Sequence, residues 1–175
     1  MGGMTTKPEF SATKPRLGRY DIDPDGSSVA FRTRHLFGLA PVRGTFGIRA
    51  GSVDVTEPLA SSRIRVEIDA ASFRTGNGAR DSAVRSGRFL DTGRHPVMVF
   101  VAETMDGDVL DGALTVCGTT QPVRLPVEVS SGPDGSFTAR AAVRIDRTEF
   151  GITASRGLAG RYLDMSVEAR CVRHA

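Results

Sequence analysis

Apolar and polar positions alternate with period 2 through most of this chain, in runs separated by Gly, Pro and Asp turn residues. Such alternation marks half-buried β-strands. Val29, Phe31, Thr33, His35 and Phe37 share one face of the first long run, with Ala30, Arg32, Arg34 and Leu36 on the other. Val42, Gly44, Phe46 and Ile48 then oppose Arg43, Thr45, Gly47 and Arg49, and Ile64, Val66 and Ile68 oppose Arg63, Arg65, Glu67 and Asp69. In the run 97–102 both faces are apolar, Met98 and Phe100 alternating with Val97, Val99 and Val101, so its inner face stays open. The second half continues with Leu110, Gly112, Leu114 and Val116, then Val123, Leu125, Val127 and Val129. Phe137, Ala139, Ala141, Val143 and Ile145 follow, and last Leu163, Met165, Val167, Ala169 and Cys171. About eight strands result, joined mainly by short turns such as Asp106-Gly107 and Pro133-Asp134-Gly135.

A meander of amphipathic antiparallel strands has one face and two edges to hide, and closure into a barrel hides both. The expectation is an all-β fold: an eight-stranded antiparallel β-barrel with a short helical insert between strands. A barrel of that size has room either for its own side chains or for one small ligand. Thr33, Gly44, Gly112, Ala139, Ala141 and Ala169 are small or polar inward positions and favour a thin filling, while strands that twist shut fit the same pattern. The insert lies between Asp69 and Pro96, where residues 80–91 form the one helix-like stretch. It brings Val84, Phe89 and Leu90 to one barrel end, and residues 71–95 are expected to govern access to the interior.

At 175 residues the chain is the size of one domain, enough to bury roughly 70% of its unfolded surface. Residues 1–18 are polar and read as a flexible leader, leaving 19–174 as the barrel domain. The net charge is +3, but among 23 basic residues only Lys7 and Lys14 are lysines and the arginines are scattered. With two Tyr and no Trp besides, no nucleic-acid surface is expected. Residues 1–19 lack an apolar stretch of signal length, and nothing approaches ~18 continuous apolar residues. A soluble cytoplasmic protein without stable membrane insertion is the expectation. Cys117 and Cys171 come with no CxxC or Cys/His spacing, so they read as reduced structural thiols with no metal or other cofactor; a disulfide between them stays open. Thr75-Gly76-Asn77-Gly78 lacks the third glycine and the βαβ setting of a dinucleotide loop. Three His, one of them the near-terminal His174, and no GxSxG, HExxH or paired carboxylates leave no catalytic constellation in view.

Several segments in order are nonetheless distinctive. They are Tyr20-Asp21-Ile22-Asp23, Ser28-Val29-Ala30-Phe31 with His35, Val42-Arg43-Gly44-Thr45-Phe46, Thr75 with Arg80-Asp81, Phe89-Leu90-Asp91, and His95-Pro96 with Phe100. Residues 112–120 and 145–152 extend the series. The chain resembles the YceI-like family of polyisoprenoid-binding proteins from Tyr20 to about Val172. It departs from the family habit at Ser27, where a His is common, and at His95, where an aromatic is common.

The resemblance implies a lipocalin-like barrel whose apolar interior takes up a long isoprenoid or related lipid: a polyprenyl chain, an isoprenoid quinone or a fatty-acid derivative. The role is then carrier, storage or scavenging, without enzymatic activity. An enzyme acting on a small isoprenoid or quinone, and a solid-cored barrel used as a protein-interaction module, are the alternatives. The candidate ligand-binding residues are Val29, Phe31, Thr33, His35, Val42, Phe46, Ile64, Val66, Ile68, Arg80, Asp81, Val84, Phe89, Leu114, Phe137, Val143, Arg147, Phe150 and Ile152. By alternation His35 faces inward, to meet a polar head group or sit as a core histidine. Arg80 and Asp81 suit a clamp on a phosphate or hydroxyl, or a salt bridge that fixes the insert to the barrel, and Arg147 poses the same choice. Whether the barrel pairs as a homodimer stays open.

Overall fold

The structure is a computed structural model that describes residues 14–35, 38–155 and 159–175. Leu36 and Phe37, at the end of the first alternating run, and residues 1–13 of the expected leader lie outside the described residues. The strands are β1 (Gly18–Ile22), β2 (Ser28–His35), β3 (Ala40–Val55), β4 (Arg63–Arg74), β5 (Val97–Asp106), β6 (Val109–Val116), β7 (Thr119–Ser131), β8 (Phe137–Asp146) and β9 (Tyr162–Arg173), with one helix, α1 (Gly78–Arg85), between β4 and β5.

Neighbours pair antiparallel from β2 round to β9, and β9 pairs back onto β2. The barrel is therefore closed, with eight positions in its wall. The ninth strand, β1, was not expected from alternation, since its five residues offer only Tyr20 and Ile22 to the interior. It pairs with the same two strands as β2, matching Tyr20 to Val53 of β3 and to Arg173 of β9. β1 and β2 thus share one wall position end to end, broken by the turn at residues 23–27.

Facing follows the alternation until register breaks. Val42, Phe46 and Ile48 are buried on β3, but the register shift between Ile48 and Ala50 reverses the phase, so Val53 and Val55 become the inward residues. On β4 the inward phase carries past Ile68 to Ala70 and then reaches Phe73. On β5 the open question resolves with Met98, Phe100 and Ala102 inward.

The two ends of the barrel differ. At the end bearing β1, the Tyr20 ring is fully buried and meets Phe137 edge-on at 4.7 Å, with Ile22, Val53, Val55 and Cys171 packed round them. Turns of ordinary length close that end. At the other end lie the two long connections, residues 75–96 with α1 and residues 147–161. Two glycines expected to thin the interior do the opposite. A Cβ on Gly44 would collide with the Phe31 ring, and one on Gly112 with the Phe100 ring. The glycines admit large neighbouring rings, and the empty space lies elsewhere.

Candidate functional site

The barrel encloses a cavity of about 480 Å3 in the half away from β1. Sixteen of the expected residues border it: Val29, Phe31, Thr33 and His35 from β2; Val42 and Phe46 from β3; Val66 and Ile68 from β4; Arg80, Val84 and Phe89 from the insert; Leu114 from β6; Val143 from β8; and Arg147, Phe150 and Ile152 from the rim loop.

Three expected residues stand elsewhere. Ile64 faces inward but lies toward the β1 end, against Phe100, Ala102 and Leu110. Phe137 also faces inward but fills the closed end against Tyr20. Alternation tells which side of the wall a residue occupies and says nothing of its depth along the axis, so facing inward does not bring either of them to the cavity. Asp81 turns away from the interior and accepts hydrogen bonds from Thr75, at 2.6 Å from Oγ1 and 3.0 Å from the backbone N–H. The Thr75 hydroxyl holds its carboxyl below the usual carboxylate range. The alternative of a salt bridge that fixes the insert to the barrel is not met by Arg80 or Asp81, neither of which forms one among the described residues. Arg85 instead ties α1 to the barrel by donating to the Phe73 carbonyl.

Other lining residues were legible but not selected: Val123, Leu125, Ile145, Leu163, Met165 and Val167 all fall on faces that alternation marks as inward. Phe73 was missed because the alternating run ends at Ile68. Its ring stacks on Phe31 at 5.2 Å and meets Phe46 at 5.5 Å, giving the cavity a three-ring wall. Arg88, Ser155, Ala159 and Gly160 come from segments without period 2 and carry no sequence signal.

The open end is organised by hydrogen bonds. Asn77 caps α1 by accepting from the Arg80 N–H at 3.0 Å, a preferred start for a helix. Beyond α1 the chain folds back, the Leu90 N–H donating to the Val84 carbonyl at 2.9 Å, which brings Phe89 and Leu90 over the barrel end. The Cys117 thiol, at the β6–β7 turn, donates to the Leu90 carbonyl at 3.0 Å and holds that loop down. Arg147, 8% exposed, braces the rim loop while it borders the cavity. Its guanidinium donates to the carbonyls of Gly160, Ile152, Ala154 and Ala159. It also lies 5.7 Å from the centre of the Phe89 ring, so the two long connections meet across the mouth. Gly160 must be glycine for this loop to close, since a Cβ there would run into Thr33 and the Arg34 backbone.

The interior is thus an apolar chamber with basic groups, His35, Arg80, Arg88 and Arg147, and no carboxylate or thiol among its described lining residues. Both cysteines are free. Burial pushes the Cys171 thiol up to about 12 and raises that of Cys117.

Known proteins share this architecture. BcnA of Burkholderia cenocepacia superposes with a TM-score of 0.75 at 20% identity, over 86% of this chain and 99% of that one. A polyisoprenoid binding domain from Saccharophagus degradans gives 0.74 at 12% identity, over 91% and 100%. In sequence, protein YceI of Escherichia coli O157:H7 is 31% identical over 178 residues, which span 94% of this chain and 92% of that protein. The YceI-like domain matches residues 20–171, and the chain belongs to that family.

Proposed function

We propose that this protein holds one long apolar lipid chain, an isoprenoid or a chain of like shape, inside the barrel and releases it unchanged. The observation that carries the reading is the 480 Å3 chamber, within the size range of small-molecule sites and walled by aliphatic and aromatic side chains. The likeness to a polyisoprenoid binding domain supports it. Burial of apolar surface supplies the affinity, at ~25 cal/mol per Å2. Holding is favoured over chemistry because no carboxylate or thiol accompanies the basic groups on the described lining, and the hydroxyl of Thr33 donates to the Tyr162 carbonyl. An interaction module built on a filled barrel has no use for an empty half. The two free thiols support a reducing, cytoplasmic setting, which cell fractionation tests.

Titration with saturated carboxylates of increasing length tests the central reading. Each added CH2 contributes about 0.8 kcal/mol while it enters the chamber, so Kd falls about fourfold per carbon and levels off once the chamber is full. Affinity independent of chain length would refute the reading.

A further inference from the structure

On the outer wall, strand register gathers arginines that are scattered in the sequence. Arg32 of β2 stands directly across from Arg43 of β3. Arg74, at the end of β4, stands across from Thr45, two residues further along β3. The three border one shallow groove floored by Ala30, Thr45 and Ser166. None of them makes a hydrogen bond or ion pair among the described residues. The acid that borders the groove, Asp164, stands directly across from Arg32 on β9 and feels its charge, but its carboxylate is bonded to Arg144 at 2.9 Å.

Elsewhere the wall is built differently. Arg140 faces Glu168, Arg144 faces Asp164 and Arg124 faces Asp111, each directly across its strand pair and each bonded. Like charges directly across an antiparallel pair repel, and against the three arginines the groove sets the one carboxylate of Asp164, already bonded to Arg144, so the Arg32 and Arg43 pairing leaves positive charge in excess for an anion from outside. The tip of the same hairpin presents Leu39, 84% exposed, at the barrel end that carries the cavity mouth. Outward from β2, Arg34 donates among the described residues to the Gly38 carbonyl alone.

We propose that the β2–β3 hairpin is a docking surface for a bilayer of anionic phospholipids, with Arg32, Arg43 and Arg74 on headgroup phosphates and Leu39 in the interface. A guanidinium fork matches phosphate oxygens, and a cationic patch beside an exposed apolar side chain is the combination that binds membrane surfaces. Leu39 would serve no purpose against a nucleic-acid backbone. Docking stands on this charge pattern and on Leu39, without regard to the cavity's content. Its use, to place the mouth beside the membrane for lipid exchange, rests on the function proposed above.

The test is flotation of the intact protein with vesicles of phosphatidylcholine alone and of phosphatidylcholine mixed with phosphatidylglycerol. Binding to the anionic vesicles only is expected, weakening as salt rises. The double variant Arg32→Gln/Arg43→Gln should partition roughly 25-fold less, about fivefold per arginine, with thermal unfolding showing both proteins folded. Arg32→Lys/Arg43→Lys should retain most of the binding and Leu39→Ser should reduce it. Equal binding to both vesicle types, undiminished binding of the Gln variant, or arginine-dependent binding of duplex DNA in place of vesicles would overturn the proposal. Uptake of a fluorescent long-chain lipid, measured without vesicles, separates the two readings. Wild-type protein that takes up no chain yet floats in an arginine-dependent way sinks the carrier reading and leaves docking standing.

Discussion

Removing the Phe89 ring should open the barrel faster than it destabilises it. The ring is half-buried and sits over the mouth, 5.7 Å from the Arg147 guanidinium, a contact worth about 0.5–2 kcal/mol as desolvation increases. That contact joins the insert to the rim loop, so it exists with the mouth closed and breaks when the two part. Phe89→Ala therefore shifts closed toward open by the same amount and speeds release about 2- to 30-fold. The backbone that carries the ring stays anchored through Leu90 to Val84 and through Cys117. The stability cost stays below the ~3–5 kcal/mol of a fully buried Phe. Phe137→Ala is the counterpart: that ring fills the closed end at 5% exposure, so it should lose the full core penalty without faster release from the remaining folded protein. Stopped-flow transfer of a fluorescent long-chain lipid to acceptor vesicles gives the rates, and calorimetry the melting. An unchanged release rate for Phe89→Ala, or the same acceleration in Phe137→Ala, would show that the insert is not the gate.

Other consequences follow from single residues. Leu114→Arg or Val66→Arg places a charge on the cavity wall at a cost of several kcal/mol, and should abolish lipid uptake or unfold the protein by circular dichroism. Cys117→Ser and Cys171→Ser together should leave uptake intact with a modest loss of stability, and intact mass should show both thiols free in the parent. Asp146, held by Arg161 and Thr148, has its carboxyl lowered to about 2 from 3.8. A depressed acid stabilises the fold above its unfolded pKa and loses that contribution as pH falls through the folded value. Unfolding free energy should therefore drop between about pH 4 and pH 2 by up to ~2 kcal/mol, and Asp146→Asn should flatten that fall.

The closed barrel was readable because hiding one apolar face and two edges leaves few solutions, and the alternation names the inner face of nearly every strand. Where it failed, geometry explains why. The bulge after Ile48 reverses the phase of β3, and period 2 cannot announce an inserted residue. Phe137 and Ile64 face inward as expected, yet only the packing of Tyr20 beneath them shows which half is full. Gly44 and Gly112 looked like missing volume, whereas their register partners and diagonal neighbours supply rings that refill it. The four carbonyls that Arg147 bonds belong to a loop without periodicity, so its bracing role emerges only from the fold.

The central claim is that the chamber holds a lipid chain, and the most direct measurement is native mass spectrometry of freshly purified protein, followed by organic extraction of whatever dissociates. The account predicts a complex heavier than the chain by one long-chain lipid, with the extracted molecule carrying an extended apolar tail. The same protein with Leu114→Arg should run at its bare mass. Bare mass for the parent, together with no uptake of any long-chain probe after stripping, would contradict it.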